Sequence, residues 1–386
     1  MSSEVEKLSH EEHILKLPDT YIGSNEKTTD NIWIFDESEN KMIKKNITYV
    51  PGEFKIYDEI LVNAVDQHIR LKEKFKSDKT INLVKNIKVN INKEEGRITV
   101  FNDGDGIPIE IHNKENIWIP ELIFGHLLTS SNYSATKKIK HVGGKNGYGA
   151  KLTNIFSQEF TLETVCSKNK KKYTQIFKNN MSIKEKPKIT SSKIKPYTII
   201  SFIPDHKMFN STGLEDELIS VLEKRVYDIA AFTDSSINVY LNDKKIEIKN
   251  FEKYIDLFIG NKEISKRAYE FVSDRWEIGA ALNPHLTFEQ ISMVNGVNTL
   301  QGGKHVDYIS NNICKRLAEF IKKKKKIDIK TSYIKENIIL FIKCSIDNPA
   351  FNSQTKEYMT TNASNFGSKC ELSNKFIAVS YTHLRA

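Results

Sequence analysis

Apolar side chains recur at helical spacing through EFKIYDEILVNAVDQHIRLK, residues 53 to 72, with no internal Gly or Pro, and this predicts a helix. The period then changes to two. KNIKVNIN and GRITVFNDG alternate apolar and polar positions and are joined at KEEG, which reads as a hairpin ending in a glycine-rich turn. QEFTLETVCS, KKYTQIFK and PYTIISFIPD alternate in the same way, a helix is predicted from about Gly213 to Phe232, and INVYLND and KKIEIKNFEKYIDLF follow. Near residue 250 the pattern starts afresh with RWEIGAALNP and FEQISMVNGV, a long helix from about Lys304 to Lys325, and the strand-like NIILFIKCSI. Strands and helices so mixed give an α/β (α+β) chain with a break near residue 250.

At 386 residues the chain is long enough for two domains. Hydrophobic residues make up 39% and no apolar run approaches the ~18 residues of a membrane helix, so no membrane partner is expected. The start, MSSEVEKLSHEEH, is acidic and polar and does not read as a secretory signal. Cys166, Cys314, Cys344 and Cys370 are scattered without metal-ligand spacing, which fits reduced thiols in a reducing compartment. The formal charge of +9 points to an anionic partner, with KKIK at 137–140, KNKKKY at 168–173 and KKKKK at 322–326 as the visible patches. Each patch alone reads as a solvated surface. A helix C-terminus explains one or two of the last five lysines, not all.

Three stretches carry candidate chemistry. Glu59 and Asn63 lie four apart and so share one helix face, where an acid could polarise water and an amide oxygen could hold Mg²⁺. Alone, the pair reads as the wet edge of a helix. NDGDGIP at 102–108 follows a strand; Asn102 can offer an amide to a base edge, although alone the segment is a turn. HVGGKNGYGAKL at 141–152 has the glycine density of a phosphate loop, yet Ala150 separates Gly149 from Lys151, which excludes a Walker loop, and no third glycine completes a dinucleotide fingerprint. Their order along one hundred residues is the stronger signal.

That order resembles the ATP-binding fold shared by gyrase, the heat-shock chaperones, histidine kinases and MutL. LPDTYIGS at 17–24, DEILVNAVDQ at 58–67, IPELIFGHLLTSSNY at 119–133, GGKNGYGAKLTNIFS at 143–157, QGGKHVDY at 301–308 and NPAFNSQTKE at 348–357 narrow it. Together they resemble the N-terminal ATPase region of the type IIA DNA topoisomerases, closer to the eukaryotic than the bacterial branch. The resemblance implies a Bergerat-type ATPase domain over 1–249, a ribosomal-protein-like transducer over 250–378, and ATP with Mg²⁺ as cofactors. Residues 379–386 depart from the family and read as a non-native, unstructured tail.

The same resemblance assigns Glu59 as general base and Asn63 as Mg²⁺ ligand. It sets Asn102 at the adenine, Gln67 beside the nucleotide, and Ser130, Ser131 and Asn132 along ribose and phosphates. Asn146, Gly147, Tyr148, Gly149, Ala150 and Lys151 form the lid over the triphosphate, and Gln354 and Lys356 of a QTK loop reach the γ-phosphate. ATP binding is expected to close a homodimer through the ATPase domain, the segment around Tyr21 crossing to the partner. Lys322, Lys323, Lys324, Lys325 and Lys326 match a lysine-rich loop facing double-stranded DNA. No segment resembles the DNA-cleavage region, so the chain is expected to act with that missing C-terminal part of the enzyme. Its place would be the nucleus of a cellular eukaryote, or the host cytoplasm, viral factory or nucleus for a virus. Lys145 and Gln67 depart from the eukaryotic pattern, and Asp105 adds an acid near the nucleotide without an evident reason. A MutL or chaperone relative fits the combined motifs less well. A nucleotide-dependent dimerising DNA clamp with negligible turnover stays open as the alternative.

Overall fold

The alternating runs of the first 250 residues assemble into one mixed sheet, in a computed structural model that describes residues 6–129, 141–144, 147–283 and 285–383. From one edge the strands run Lys244–Lys245, Asn238–Leu241, Asn86–Asn92, Arg97–Asp103, Tyr197–Pro204, Ser157–Cys166 and Lys171–Lys178, and both Ile183–Lys184 and Lys188–Ser191 pair with the last of these. Neighbours are antiparallel except Asn238–Leu241, which runs parallel to Asn86–Asn92. The period-two reading holds because each strand turns one face to the core: Ile87, Val89, Ile98 and Val100 are buried.

The predicted first helix extends to Pro51–Ser77, with Pro51 in its first turn, where the missing N–H costs nothing. Ile56, Tyr57, Ile60, Leu61, Ala64 and Val65 bury its apolar face in the core it shares with the sheet and the helix Asp216–Phe232. An N-terminal hairpin, Thr28–Asp36 with Lys41–Tyr49, was not legible in the pattern, since most of its positions stay partly exposed. It is held by stacking, Phe35 lying 4.0 Å from Tyr227.

Beyond residue 250 a second, five-stranded sheet has the order Arg267–Ser273, Trp276–Leu282, Ile338–Cys344, Glu289–Val294, Val297–Asn298. Its middle strand IILFIKC is buried on both faces, which explains its unbroken apolar text. One face packs on the helix Lys304–Lys325 through Val306, Ile309, Ile313 and Leu317. The other contributes Ile291, Met293, Ile339 and Phe341 to the core of the first half, with Phe251, Tyr254 and Ile255 of the helix Phe251–Ile259 wedged between. The apolar core is therefore continuous across the pattern break.

The tail expected to be unstructured from residue 379 is instead helical to His383, within the helix Asn374–His383. Phe376, Ile377, Ser380 and Tyr381 recur on one side and are buried, and Tyr381 packs 5.1 Å from Phe320 of the lysine-ended helix.

Candidate active site

The long helix carries its functional groups on the side that faces the loops. Glu59 is 4% exposed, and its carboxylate accepts hydrogen bonds from two buried ammonium groups, Lys55 Nζ at 2.7 Å and Lys356 Nζ at 2.9 Å. Burial alone would raise its pKa, but Lys356 and then Lys55 outweigh burial and bring it down to about 2. Lys356 is held above its usual range by Glu59 in spite of burial, whereas burial pushes Lys55 down. Asn63, one turn on, is half-buried. Glu59 is thus ionised at all physiological pH and pinned by a residue 297 positions away.

The glycine-rich stretch folds over this face. Gly149 opens the short helix Gly149–Ile155, and a Cβ there would overlap Oε2 of Glu59; at Gly144 one would meet Asp66 Oδ2 at 3.0 Å and Asn63 Oδ1 at 3.5 Å. Contact with the long helix's own side chains therefore requires glycine at 149 and makes a tight fit at 144. Asp66, fully buried, accepts the Gly143 and Gly144 N–H groups at 2.8 Å each, and burial holds its pKa above the ordinary value. Lys151 donates to the Thr129 and Gly147 carbonyls at 2.6 Å, so its ammonium clasps the two ends of the loop together. Burial lowers it to about 8. Gly147 has φ +72°, Tyr148 is half-buried and Ala150 buried. Ser130, Ser131, Asn132, Lys145 and Asn146 lie outside the described residues.

Asn102, next to last in its strand, is 7% exposed, its amide donating to Asp103 O at 2.9 Å. In the loop that follows, Asp105 is hydrogen-bonded from three other segments. Its carboxylate accepts from Asn82 Nδ2 at 2.6 Å and Ser167 Oγ at 2.8 Å, while its carbonyl accepts from Gln67 Nε2 at 2.9 Å. Asp105 is a clasp joining the long helix, the segment before the first sheet strand, and the turn after Cys166. Thr164 supports the same loop by accepting the Ile107 N–H at 3.1 Å.

The second half reaches the site in two places. The QTK loop brings Lys356 to Glu59 and sets Thr355 against Gly23 of LPDTYIGS, where a Cβ would lie 2.6 Å from Thr355 Cγ2. Gln354 is half-buried beside them. The turn Asn295–Gly296 makes the other contact: Asn295 donates to Val142 O at 3.3 Å and Ile346 O at 2.9 Å, and Arg225 joins the Gly296 carbonyl to Asp58, next to Glu59. Tyr21 lies within its own chain against His13, His10 and Tyr148, its hydroxyl 3.0 Å from His13 Nδ1. Lys322 to Lys326 are exposed at the end of the helix Lys304–Lys325, far in sequence from these groups.

Glu59, Asn63, the lid glycines and Lys356 are therefore brought together around one helix face. Sequence reasoning missed Lys55, Asp66 and Asn295. Lys55 and Asp66 had a signal, since charges amid EFKIYDEILVNAVD sit too close to the apolar stripe to be solvated; Asn295 had none beyond its glycine neighbour.

Comparison with known proteins places these features. Residues 237–382 match the DNA gyrase B family model. DNA topoisomerase 2 of Saccharomyces cerevisiae is 49% identical over 97% of this chain and 27% of the relative's length, and that of Acanthamoeba polyphaga mimivirus 47% over 96% and 29%. The chain thus spans just over a quarter of the length of these curated relatives. The crystal structure of the ATPase region of S. cerevisiae topoisomerase II superposes with a TM-score of 0.90 at 50% identity, covering 98% of this chain and 96% of that one. The ATPase and transducer domains of the Balamuthia mandrillaris enzyme give 0.91 at 38% identity, covering 99% and 95%.

Proposed function

This chain belongs to the DNA topoisomerase 2 family, over the ATPase region of that family, and from this premise we propose that it binds and hydrolyses ATP as the nucleotide-driven gate of a DNA-passing enzyme. The observation that carries the reading is the meeting of Lys356 with buried Glu59, because it puts a cation from a distant loop on the carboxylate suited to activate water. In this reading Lys356 moves from Glu59 to the γ-phosphate, a stronger anion. Glu59, then held by Lys55 alone, becomes more basic and accepts a proton from the attacking water. Asn146 to Lys151 and Gln354 enclose the phosphates, and Asn102 with the Asp105 clasp positions the adenine.

Asn63 offers one hard oxygen, and no group of three His, Cys, Asp or Glu side chains suited to a metal lies among the described residues. That donor set fits Mg²⁺ held mainly by phosphate oxygens and water, with Asn63 as its protein ligand. When bound, the ion would offset phosphate charge. A homodimer closed through the ATPase domain, duplex DNA at Lys322 to Lys326, and a cleavage region elsewhere in the enzyme complete the proposal. No helix among the described residues is long and apolar enough to cross a membrane. The proposed place is the nucleus in a cellular eukaryote, or the host cytoplasm, viral factory or nucleus for a virus.

Steady-state ATPase measured against protein concentration, with and without duplex DNA, tests this. Turnover per chain that rises with concentration and collapses in Glu59→Gln supports a dimeric hydrolase. The two-lysine hold on Glu59 makes it a weak base and favours one other reading, a nucleotide-responsive clamp with negligible turnover. ATP binding without turnover at any concentration would select that reading.

A further inference from the structure

One strongly charged surface is left unused by the site and by Lys322 to Lys326. Residues 168–195 hold ten lysines against a single acid, Glu185, a net +9 that equals the formal charge of the whole chain. The segment forms the outer edge of the large sheet, where Lys188–Ser191 pairs antiparallel with Lys171–Lys178 in the register Lys171↔Ser191 and Thr174↔Lys188. Ser192 N–H donates to Lys170 O at 2.8 Å, so the turn holding Lys168, Lys170 and Lys171 lies beside the connection holding Lys193 and Lys195. Lys172 is paired with Glu163 and Lys178 with Glu185. Lys168, Lys170, Lys171, Lys186, Lys188, Lys193 and Lys195 make no ion pair among the described residues, and all but Lys171 are exposed.

Seven like charges gathered on the ends, turn and connections of two paired strands repel one another and lower stability unless a polyanion lies against them. We infer that this sheet edge is a second contact surface for duplex DNA, gripping the phosphate backbone without reading sequence. The chemistry selects that partner. The charges are all lysine, compact donors lacking the bidentate fork of arginine, which suits phosphates and not base edges. The aromatic side chains of the segment, Tyr173 and Phe177, are fully buried, so nothing offers a platform for stacking single-stranded bases. Its exposed large apolar residues are only Ile183 and Ile194, on strands and connections without an amphipathic helix, which does not suit a lipid surface. From Lys188 to Lys195 the chain spans at most about 23 Å at a strand rise of about 3.3 Å, against one duplex charge per about 1.7 Å of axis.

The surface is also wired to the nucleotide loop. Ser167, which precedes the lysine turn, donates to Asp105, and Asn169 within it donates to Ile109 O at 3.2 Å. DNA seated here bears on the segment that follows Asn102. The inference draws its choice of DNA from the proposed function, but its test does not depend on ATP hydrolysis.

The test is binding of a fluorescent 40-base-pair duplex to the full chain, without nucleotide, across a salt series of about 50 to 200 mM. Lys168, Lys170, Lys171, Lys193 and Lys195 are replaced together by Gln, with melting temperature as the folding control. About four lost phosphate contacts make the slope of log K against log salt shallower by about 3.6, so the wild type loses about 100-fold more affinity over that range than the variant. If the five-fold variant does not fold, the pairs Lys168→Gln/Lys170→Gln and Lys193→Gln/Lys195→Gln are each expected to remove about 1.8 from the slope. An unchanged slope, or one removed entirely by Gln at Lys322 to Lys326, overturns the inference. So does retention on anionic phosphatidylserine vesicles that the five substitutions abolish while duplex binding is untouched. A chain that binds DNA with the expected slopes but turns over no ATP would fail the proposed hydrolysis and leave this surface standing.

Discussion

Replacing Glu59 by Gln tests the buried triad through stability as well as rate. The substitution keeps shape but leaves the Lys55 and Lys356 ammonium groups facing a neutral amide in a site 4% exposed. Removing one partner from a buried ion pair costs about 3–5 kcal/mol, because the other charge stays desolvated and unmatched. At roughly 2 °C per kcal/mol for a unit of this size, the nucleotide-free melting temperature should fall by about 6 °C or more. Lys356→Met alone should cost less, about 1–3 kcal/mol, since Lys55 still matches Glu59. The double variant leaves one ammonium, already inclined to lose its proton through burial, and should be more stable than the sum of the single changes by about 1–3 kcal/mol. The acid limb gives an independent check. With a folded pKa of about 2 against an ordinary 4.5, the carboxylate's contribution is complete above pH 4.5 and is lost as pH falls toward 2, about 3 kcal/mol in all. Glu59→Gln should flatten that limb. Thermal melts of the four proteins from pH 2 to 8, analysed as a double-mutant cycle, read both effects. Additive single changes, or a Gln variant that melts like the wild type, would refute the triad.

A Cβ at position 149 overlaps the Glu59 carboxylate, so Gly149→Ala should displace the lid helix, weaken ATP binding at least tenfold by calorimetry and cost about 1–3 kcal/mol of stability, read as a lower melting temperature. Asp66→Asn keeps one acceptor oxygen but turns an N–H₂ toward the other backbone donor; a loss of about 2 kcal/mol and faster hydrogen exchange at residues 142–144 are expected, and unchanged exchange would count against Asp66 as the loop's anchor. His305 is fully buried between Ser292 and Thr299, and burial lowers its pKa to about 3. The unfolded chain takes up a proton below about 6.5 that the fold refuses, so stability is full above that pH and declines toward pH 3 by up to about 5 kcal/mol, a decline that His305→Gln should remove.

The sequence by itself determined the elements whose signal is local. Period two marked the strands of the large sheet, an uninterrupted helical period marked the long helix, and the glycines of 143–149 marked a backbone that comes very close to something. What they approach was decided by the tertiary structure. Glycine density by itself fitted a phosphate loop or a plain surface loop, yet Gly144 and Gly149 are packed on Asp66 and Glu59 of the long helix. Glu59 alone was indistinguishable from a wet helix edge, since its burial and its ionisation depend on Lys356, which enters from the second half of the chain. Asp105 had no reason in its neighbourhood because its partners, Asn82 and Ser167, lie on two other segments. The N-terminal hairpin and the last helix escaped for a related reason: their own patterns are weak, and Phe35 on Tyr227 and Tyr381 on Phe320 supply the packing that their neighbours in sequence do not. Periodicity reports which face of a segment prefers water. Which charge or ring meets it there depends on chain crossings hundreds of residues apart, and those exist only once the two sheets share a core.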